Sequence, residues 1–582
     1  MEKSAKEIDG PDVLDLSYLS AIQARLLNET AEIVREPFIS LIDSLSVDNA
    51  DNMDWWVSNL SSRNVLLSSF YVDCCYLALI QELLRRGYAL RTIKVNSVAM
   101  AETVNLLLRT QSGKIRVENV KCPAFQRLKS VVRFLAHFIL SAYRFFLRMF
   151  AMNVLKCSRR CFPDKPLTLL DVFVFENSFK DGTFADRYYT GFQNFLSEDE
   201  KRLIFYVPTL HKVKNIIATY RSILKSGENF LLKEVFLTCA DYLYALGYPF
   251  RVGKIALTPK TILNMDVTPL MKAALYQDRA SYGSMDALLN YRFAERLAEA
   301  GIRLRLVVDW FENQVVDRGF NAGFRRFYNG ISHVGYQGFV APDRYLSLFP
   351  SNAEYAGEVI PQHVIVVGKA LVDRLRQACP NLDVGVGPAF RFGGVWAERK
   401  DVPDPSLFTI LIALPIMMRE GNDILKLAAS CLENKMLQTC HFLIKQHPTN
   451  KREQILKYFG SGWPNRFQFS DEDVDTSMNK ASLLISSASS VCMEALARGI
   501  PVIIVGSSSG LTYTPVPHHI TDDIWSLCYT SDELMKAILY YKSRDEKTVK
   551  RHEALGKDIR GDYFEPVTRE SVRRFLQLDP RG

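Results

Sequence analysis

Acidic residues are missing from one long stretch of this 582-residue chain. Between residues 120 and 162 there is no Asp or Glu, while Lys121, Arg127, Lys129, Arg133, Arg144, Arg148, Lys156, Arg159 and Arg160 all fall there. Those nine cations outnumber the net charge of +8, so the remainder of the chain is close to neutral. This excludes a generally basic, nucleic-acid-coating surface and points to a local electrostatic task; no nucleic-acid partner is expected. A disulfide framework is also excluded, because the eleven cysteines are odd in number and irregularly spaced. Cys74, Cys75 and Cys492 sit in apolar runs as small hydrophobes. Cys157 and Cys161 have no second Cys or His pair with zinc spacing, and no metal is expected. HExxH and Walker A patterns are absent. The first residues, MEKSAKEIDGPDV, lack an apolar leader core, so a reducing cytoplasm is the expected setting.

What is present is globular: 48% hydrophobic and 23% charged residues, enough chain for two to four cores. Strand-like runs alternate with helical ones. Residues 63–70, 90–95, 169–176, 202–207 and 303–309 read as strands, with helices across 76–84, 184–196 and 285–300. The rhythm restarts at 364–367, 408–414, 441–445, 483–486 and 501–505, with helices at 423–435, 453–459, 490–498, 532–542 and 567–576. This is the pattern of α/β units around parallel sheets. It predicts a helical lead-in (1–60), one doubly wound domain (61–350) and a second (351–582), with the basic segment 120–162 inserted in the first.

Within that segment, 129–156 is apolar but interrupted. Arg133, Arg144 and Arg148 step with Lys129, His137 and Ser141 along one helical stripe, while Phe138, Phe145 and Phe146 lie elsewhere. A spanning helix would bury three arginines at several kcal/mol each. The expectation is an amphipathic helix lying on an anionic membrane surface, phenylalanines in the acyl boundary and arginines at headgroups. A core helix with a solvated arginine stripe and a transmembrane span are the alternatives. The implied location is cytoplasmic, peripherally on the inner face of the cell membrane.

Chemistry-bearing residues cluster at strand ends, where parallel sheets present their ligand crevice. A buried strand ends in Lys445, and Pro448 breaks it and turns His447 outward. Another ends in Ser486-Ser487-Ala488-Ser489-Ser490 before a helix containing Glu494. Free N–H groups there and the hydroxyls of Ser487, Ser489 and Ser490 suit a phosphate, although capping alone also explains a serine. Glu494, one turn in, could reach a ribose hydroxyl. Val307–Gln314 ends a strand in Asp309-Trp310-Phe311-Glu312. Glu312 is the first candidate for a catalytic carboxylate and Glu176, ending 171–176, the second; a structural carboxylate tied to backbone N–H groups or Arg318 is the alternative. Gly387 could admit a close backbone approach to the donor, with Arg391 near phosphate or carboxylate; a plain interdomain loop is equally compatible. Asp473-Val474-Asp475 reads as acids in a first helical turn.

The order KxHP (445–448) followed by ISSxSSxxxEALxxGIPVI (485–503) resembles the donor half of GT-B glycosyltransferases. The His-Pro pair and paired serines resemble bacterial sialyltransferases and capsular Kdo transferases. Trp310–Gln314 with Gly335-Tyr336-Gln337-Gly338-Phe339 resembles a family of bacterial surface-carbohydrate biosynthesis proteins. The resemblance is good over about 440–510. It implies two Rossmann-like domains facing a central cleft, a metal-independent transferase without a cofactor, and a CMP-linked sugar as donor. His447 and Pro448 would meet the CMP, and Ser489 and Ser490 its phosphate. A lipid-linked surface glycan is the expected acceptor. The acidic D/E-D/E-G motif of sialyltransferases is absent, which leaves the catalytic carboxylate open. A sugar-nucleotide epimerase or hydrolase, or a non-catalytic polysaccharide assembly factor, would share much of this pattern.

Overall fold

The computed structural model describes residues 12–109, 115–119, 123–155, 162–397, 407–521 and 523–578. Three strands, β1 (Val13–Asp15), β2 (Thr92–Val95) and β3 (Arg116–Asn119), form a small parallel sheet of their own. The first large sheet contains β4 (Leu167–Val174), β5 (Ile204–Leu210), β6 (Leu304–Trp310), β7 (Ser332–Gln337), β8 (His363–Val366) and β9 (Asp383–Val386), ordered β9-β8-β7-β6-β4-β5. The second contains β10 (Phe408–Ala413), β11 (Cys440–Lys445), β12 (Phe467–Phe469), β13 (Leu483–Ser486), β14 (Val502–Val505) and β15 (Trp525–Cys528), ordered β12-β11-β10-β13-β14-β15. Every pairing in both is parallel. All eight residues of β4 are buried, as expected of a parallel strand covered on both faces. These are the two doubly wound domains.

Their boundaries differ from the sequence reading. Residues 61–119 do not open the first large sheet. The run 63–70 forms turns because Arg63 takes a left-handed φ of 54° and buries its guanidinium against Glu354 (2.8 Å) and the Phe349 carbonyl. Residues 184–196 are a hairpin strand and one 3-10 turn rather than a helix; Tyr188, Tyr189 and Phe192 pack one by one into an aromatic cluster around Trp310. The proposed division at 350 is also too early. β8 and β9 complete the first sheet, so the chain crosses over after residue 386. It crosses back at its end, where Phe575 packs on Tyr336 and Phe390 and the Leu576 carbonyl accepts from Arg305.

Two long helices frame the domains. α1 (Ala21–Asp48) starts in a capping box, Ser20 with Gln23. It reaches from the second domain (Arg25 to Glu533, Asn28 to Thr512) to the first (Asp43 to Ser351). α2 (Pro123–Val154) is the basic helix. Here Arg148 and Phe145 depart from expectation. Arg148 is 2% exposed and binds Glu234 and Asp286, both at 2.6 Å, and Phe145 packs between Tyr242 and Tyr282. Arg144 lies over the Tyr282 ring. The lower half of the arginine stripe therefore faces the protein, because buried acids compensate a charge that headgroups were expected to meet. Arg133 and Phe146 are exposed, and Phe138 stands edge-on to Phe250.

Candidate active-site cleft

In each sheet the chain begins in the middle and winds outward in both directions. The order reverses between β4 and β6 in the first sheet and between β10 and β13 in the second. Ligand crevices open at the carboxyl ends of strands at such points. The first crevice is bounded by the segments after Val174 and Trp310, the second by those after Ala413 and Ser486. Glu176 and Glu312 fall at the first, Ser487 at the second.

At the first crevice the turn after β6 is built around Asp317. Its Oδ2 accepts from the backbone N–H of Glu312 and of Gln314, both at 3.0 Å, starting α3 (Val315–Phe327). Asn313 takes a left-handed φ of 52°, held by hydrogen bonds to Glu354 and Arg318. Arg318 is itself engaged by Glu354 and Ser61. Asp317 thus does the structural work that the alternative reading gave to Glu312. The Glu312 carboxylate is half-buried and takes hydrogen bonds from Trp310 Nε1 (2.9 Å) and the Gln314 amide. Behind it lie Asp317, Asp309 and Asp171, all buried. Burial pushes the Asp309 and Asp317 carboxyls well up, and neighbouring acids add to it: Asp317 and Asp171 act on Asp309, Glu312 on Asp317. Asp171 rises to about 7 through burial, despite Lys233 nearby. Glu176 is exposed on the outer lip, where its Oε1 accepts from Lys214 N (2.7 Å).

At the second crevice Ser486 Oγ donates to the Ala413 carbonyl (2.7 Å), tying β13 to β10 across the switch point. Ser487 is buried and donates to Glu420 Oε2 (3.2 Å), at the start of α4 (Met418–Cys431). Burial raises Glu420. Ser489 and Ser490 are half-exposed, and Ser490 occupies the N-cap position of α5 (Val491–Leu496) without a side-chain capping bond. α5 has only six residues, so the helix dipole expected there is small, and hydroxyls are the main anion-binding groups left. Burial pushes Glu494 to about 7, opposed by Arg498 and then reinforced by Asp475. Asp473 caps the helix Val474–Asn479 through Thr476 N (2.8 Å), as read from its sequence position.

His447 follows β11 on a turn closed by Asn450 N to the His447 carbonyl (2.9 Å), with Pro448 exposed. Its Nδ1 accepts from Thr449 N (3.2 Å), which leaves the proton of the neutral ring on Nε2. Burial lowers its pKa, and Lys212 and Arg391 lower it further. Lys445 donates to the Glu472 carbonyl and is held toward β12. Gly387 departs from expectation: a side chain there would strike Ile365 Cγ2 at 2.4 Å, so its bareness serves packing between β8 and β9 rather than approach to a donor.

Two residues join the crevices. Arg391 is exposed, lies over the Trp310 ring (5.6 Å to its centre), and its charge acts on both His447 and Glu494. Tyr345 packs on Tyr513 (4.9 Å between ring centres) and feels both Glu420 and Glu312. A small cavity at the second crevice is lined by Glu420, Asp423, Ser487, Gly506 and Tyr513. Tyr345, Tyr513 and Lys212 were not singled out from sequence because they sit in loops without strand or helix periodicity, and the role of Asp317, in the first turn of α3, was not either. Gly506-Ser507-Ser508-Ser509-Gly510 matches the spacing G-x-S-x-G, but it runs from β14 into a loop rather than a helix and so lacks the form of a nucleophile elbow. A cavity of about 330 Å³ lies at the amino ends of β4 and β6, between Phe162, Leu167, Phe236 and Arg303, at the opposite end of the strands from all these groups.

No protein-family model matches the chain, and no curated protein matches it. Among solved structures it is similar to the S. aureus MnaA-UDP co-structure (12% identity, TM-score 0.41, covering 71% of this chain and 98% of that one). It is also similar to Anabaena Alr3699/HepE in complex with UDP and glucose (10%, 0.40, 71% and 98%) and to Acinetobacter baumannii MurG (10%, 0.37, 71% and 100%).

Proposed function

We propose that the cleft transfers a sugar from a nucleotide-sugar donor to a glycan hydroxyl. The observation that carries this is the facing pair of switch-point crevices, one bearing Glu312 and the other Ser487, Ser489, Ser490 and His447, with Arg391 between them. A nucleotide phosphate suits the second crevice, where hydroxyls, the Nε2–H of His447 and Arg391 supply donors and positive charge. An acceptor hydroxyl suits the first. Glu312 takes its proton as the oxygen bonds to the anomeric carbon, and the bond from that carbon to the nucleotide phosphate breaks with the electron pair leaving on the phosphate.

The His-Pro and paired-serine motifs support a CMP-linked acidic sugar, Kdo or a sialic-acid-like residue, with Arg391 available to its carboxylate. The Trp310–Gln314 motif supports a lipid-linked surface glycan as acceptor. The test is thermal stabilisation of the full chain by CMP, UDP, GDP and ADP, since a ligand that binds the native state raises Tm. CMP is expected to give the largest shift. A shift with a different nucleotide overturns the donor assignment. No shift with any of them favours a non-catalytic assembly role. Nucleotide release without an acceptor favours a hydrolase or epimerase.

A further inference from the structure

The helix α2 carries an apolar stripe that the protein leaves uncovered. From Leu128 to Val154 its mean hydropathy reaches 1.3 and only 11% of that apolar window is buried. A core helix of the same composition would be mostly buried. Val132, Leu135, Ile139, Tyr143, Phe146 and Phe150 recur every three or four residues and are each 44–65% exposed, so they form one ridge about 30 Å long. The surface continues beside it through Phe250, against Phe138, and Tyr276, which shares Arg279 with Phe134. On the opposite side Ser141, Phe145, Arg148, Ala151 and Met152 are buried in the first domain.

We infer that this ridge docks on an anionic bilayer, α2 lying in the plane of the membrane with its apolar side chains at the acyl boundary. Charge selects the occupant. With no acid between 120 and 162, and Lys129 and Arg133 exposed, the segment attracts anionic headgroups, whereas a second copy would bring like charge against like. The interior side fixes the orientation. Spanning the bilayer would withdraw Arg148, strand Glu234 as a buried charge and leave Asp286 with Lys233 alone (3.6 Å). The arginines of the lower stripe therefore anchor the helix to the domain, and the apolar ridge meets the lipid.

The full chain is tested by flotation with phosphatidylcholine vesicles with and without one quarter phosphatidylglycerol. Wild type is expected to float with the anionic vesicles, less so in high salt, and to be released by alkaline carbonate. Ile139→Asp with Phe146→Asp should lower partition by about tenfold or more while the circular dichroism and melting curve stay unchanged; Leu135→Asp with Val132→Asp is the second variant should the first fail to fold. Unchanged flotation in the folded variants, or resistance to carbonate extraction, overturns the inference. So does a wild type that ignores vesicles and forms a dimer dissolved by the same substitutions. None of these readouts depends on nucleotide binding or turnover, so the inference and the proposed reaction fail separately.

Discussion

At the switch point of the first sheet the groups are carboxylates: Glu312 at the rim, then Asp317, Asp309 and Asp171 in the interior. At that of the second they are hydroxyls and one imidazole with Arg391 reaching over, and the acids there, Glu420 and Asp423, line a small cavity beside Ser487. The two sheets share strand direction and winding, so the difference lies entirely in the few residues after each central strand. In the proposed reaction the first crevice, with the Glu312 carboxylate at its rim, is the side suited to moving a proton. The second, with hydroxyls, the His447 imidazole and Arg391, is the side proposed to take the phosphate and to leave proton transfer to Glu312. Division of labour across a cleft thus follows from side-chain chemistry placed on two copies of one plan.

The sharpest break of that comparison is Glu312→Ala. Loss of a positioned general base costs about 10²–10⁴-fold in rate. Turnover should fall by that much while the nucleotide-induced Tm shift stays intact; a variant with full activity removes Glu312 from the mechanism. His447→Ala works from the other side. It removes the Nε2–H donor and should abolish most of the Tm shift along with transfer, while the unliganded melt remains that of wild type. If both variants lose binding equally, the two crevices do not have separate tasks.

Much of this division could be read from residue order. The strands β4, β6, β10, β11, β13 and β14 announce themselves as apolar runs because parallel strands are buried on both faces. Glu312, His447 and the serines stand directly after them. What was illegible depends on contacts far apart in sequence. β8 and β9 joined the wrong domain because a strand's sheet is set by its neighbours rather than its own residues. Asp317 was missed because its role, receiving two backbone N–H groups, is a matter of turn geometry. Arg148 was misplaced because helical spacing shows a stripe but not which side meets the protein; that is decided by Glu234 and Asp286, over eighty residues away.

Smaller effects distinguish groups within each crevice. Ser490→Ala deletes one hydroxyl that makes no capping bond, so the unliganded protein should keep its Tm. A hydrogen bond to a charged phosphate contributes about 1.5–3 kcal/mol, which predicts roughly ten- to hundredfold weaker nucleotide binding by calorimetry. Asp317→Ala should show the reverse. It frees two backbone donors, destabilises the fold by about 1–3 kcal/mol, and lowers turnover by displacing Glu312 without weakening nucleotide binding. A Ser490 variant that melts early would mark that serine as a structural cap after all.

The subtlest contrast is in pH. Asp171 behind the first crevice and Glu494 behind the second are both pushed to about 7 by burial, from ordinary values of 3.8 and 4.5. Each is protonated in the folded chain at a pH where the unfolded chain has already released the proton. Their contribution to stability is therefore complete below the ordinary value and is lost as pH rises through about 7, with a limiting slope of about 1.4 kcal/mol per pH unit per group. Asp171→Asn and Glu494→Gln should each gain in Tm relative to wild type as pH rises across these windows, and the gain should level off above pH 7. Both groups share that limiting slope, but the window opens lower for Asp171, at 3.8 against 4.5, so the Asp171 variant should show the larger total gain. Equal total gains would mean that burial perturbs the carboxyl behind the second crevice as strongly as the one behind the first, and the contrast between the crevices would then rest on the groups at their rims.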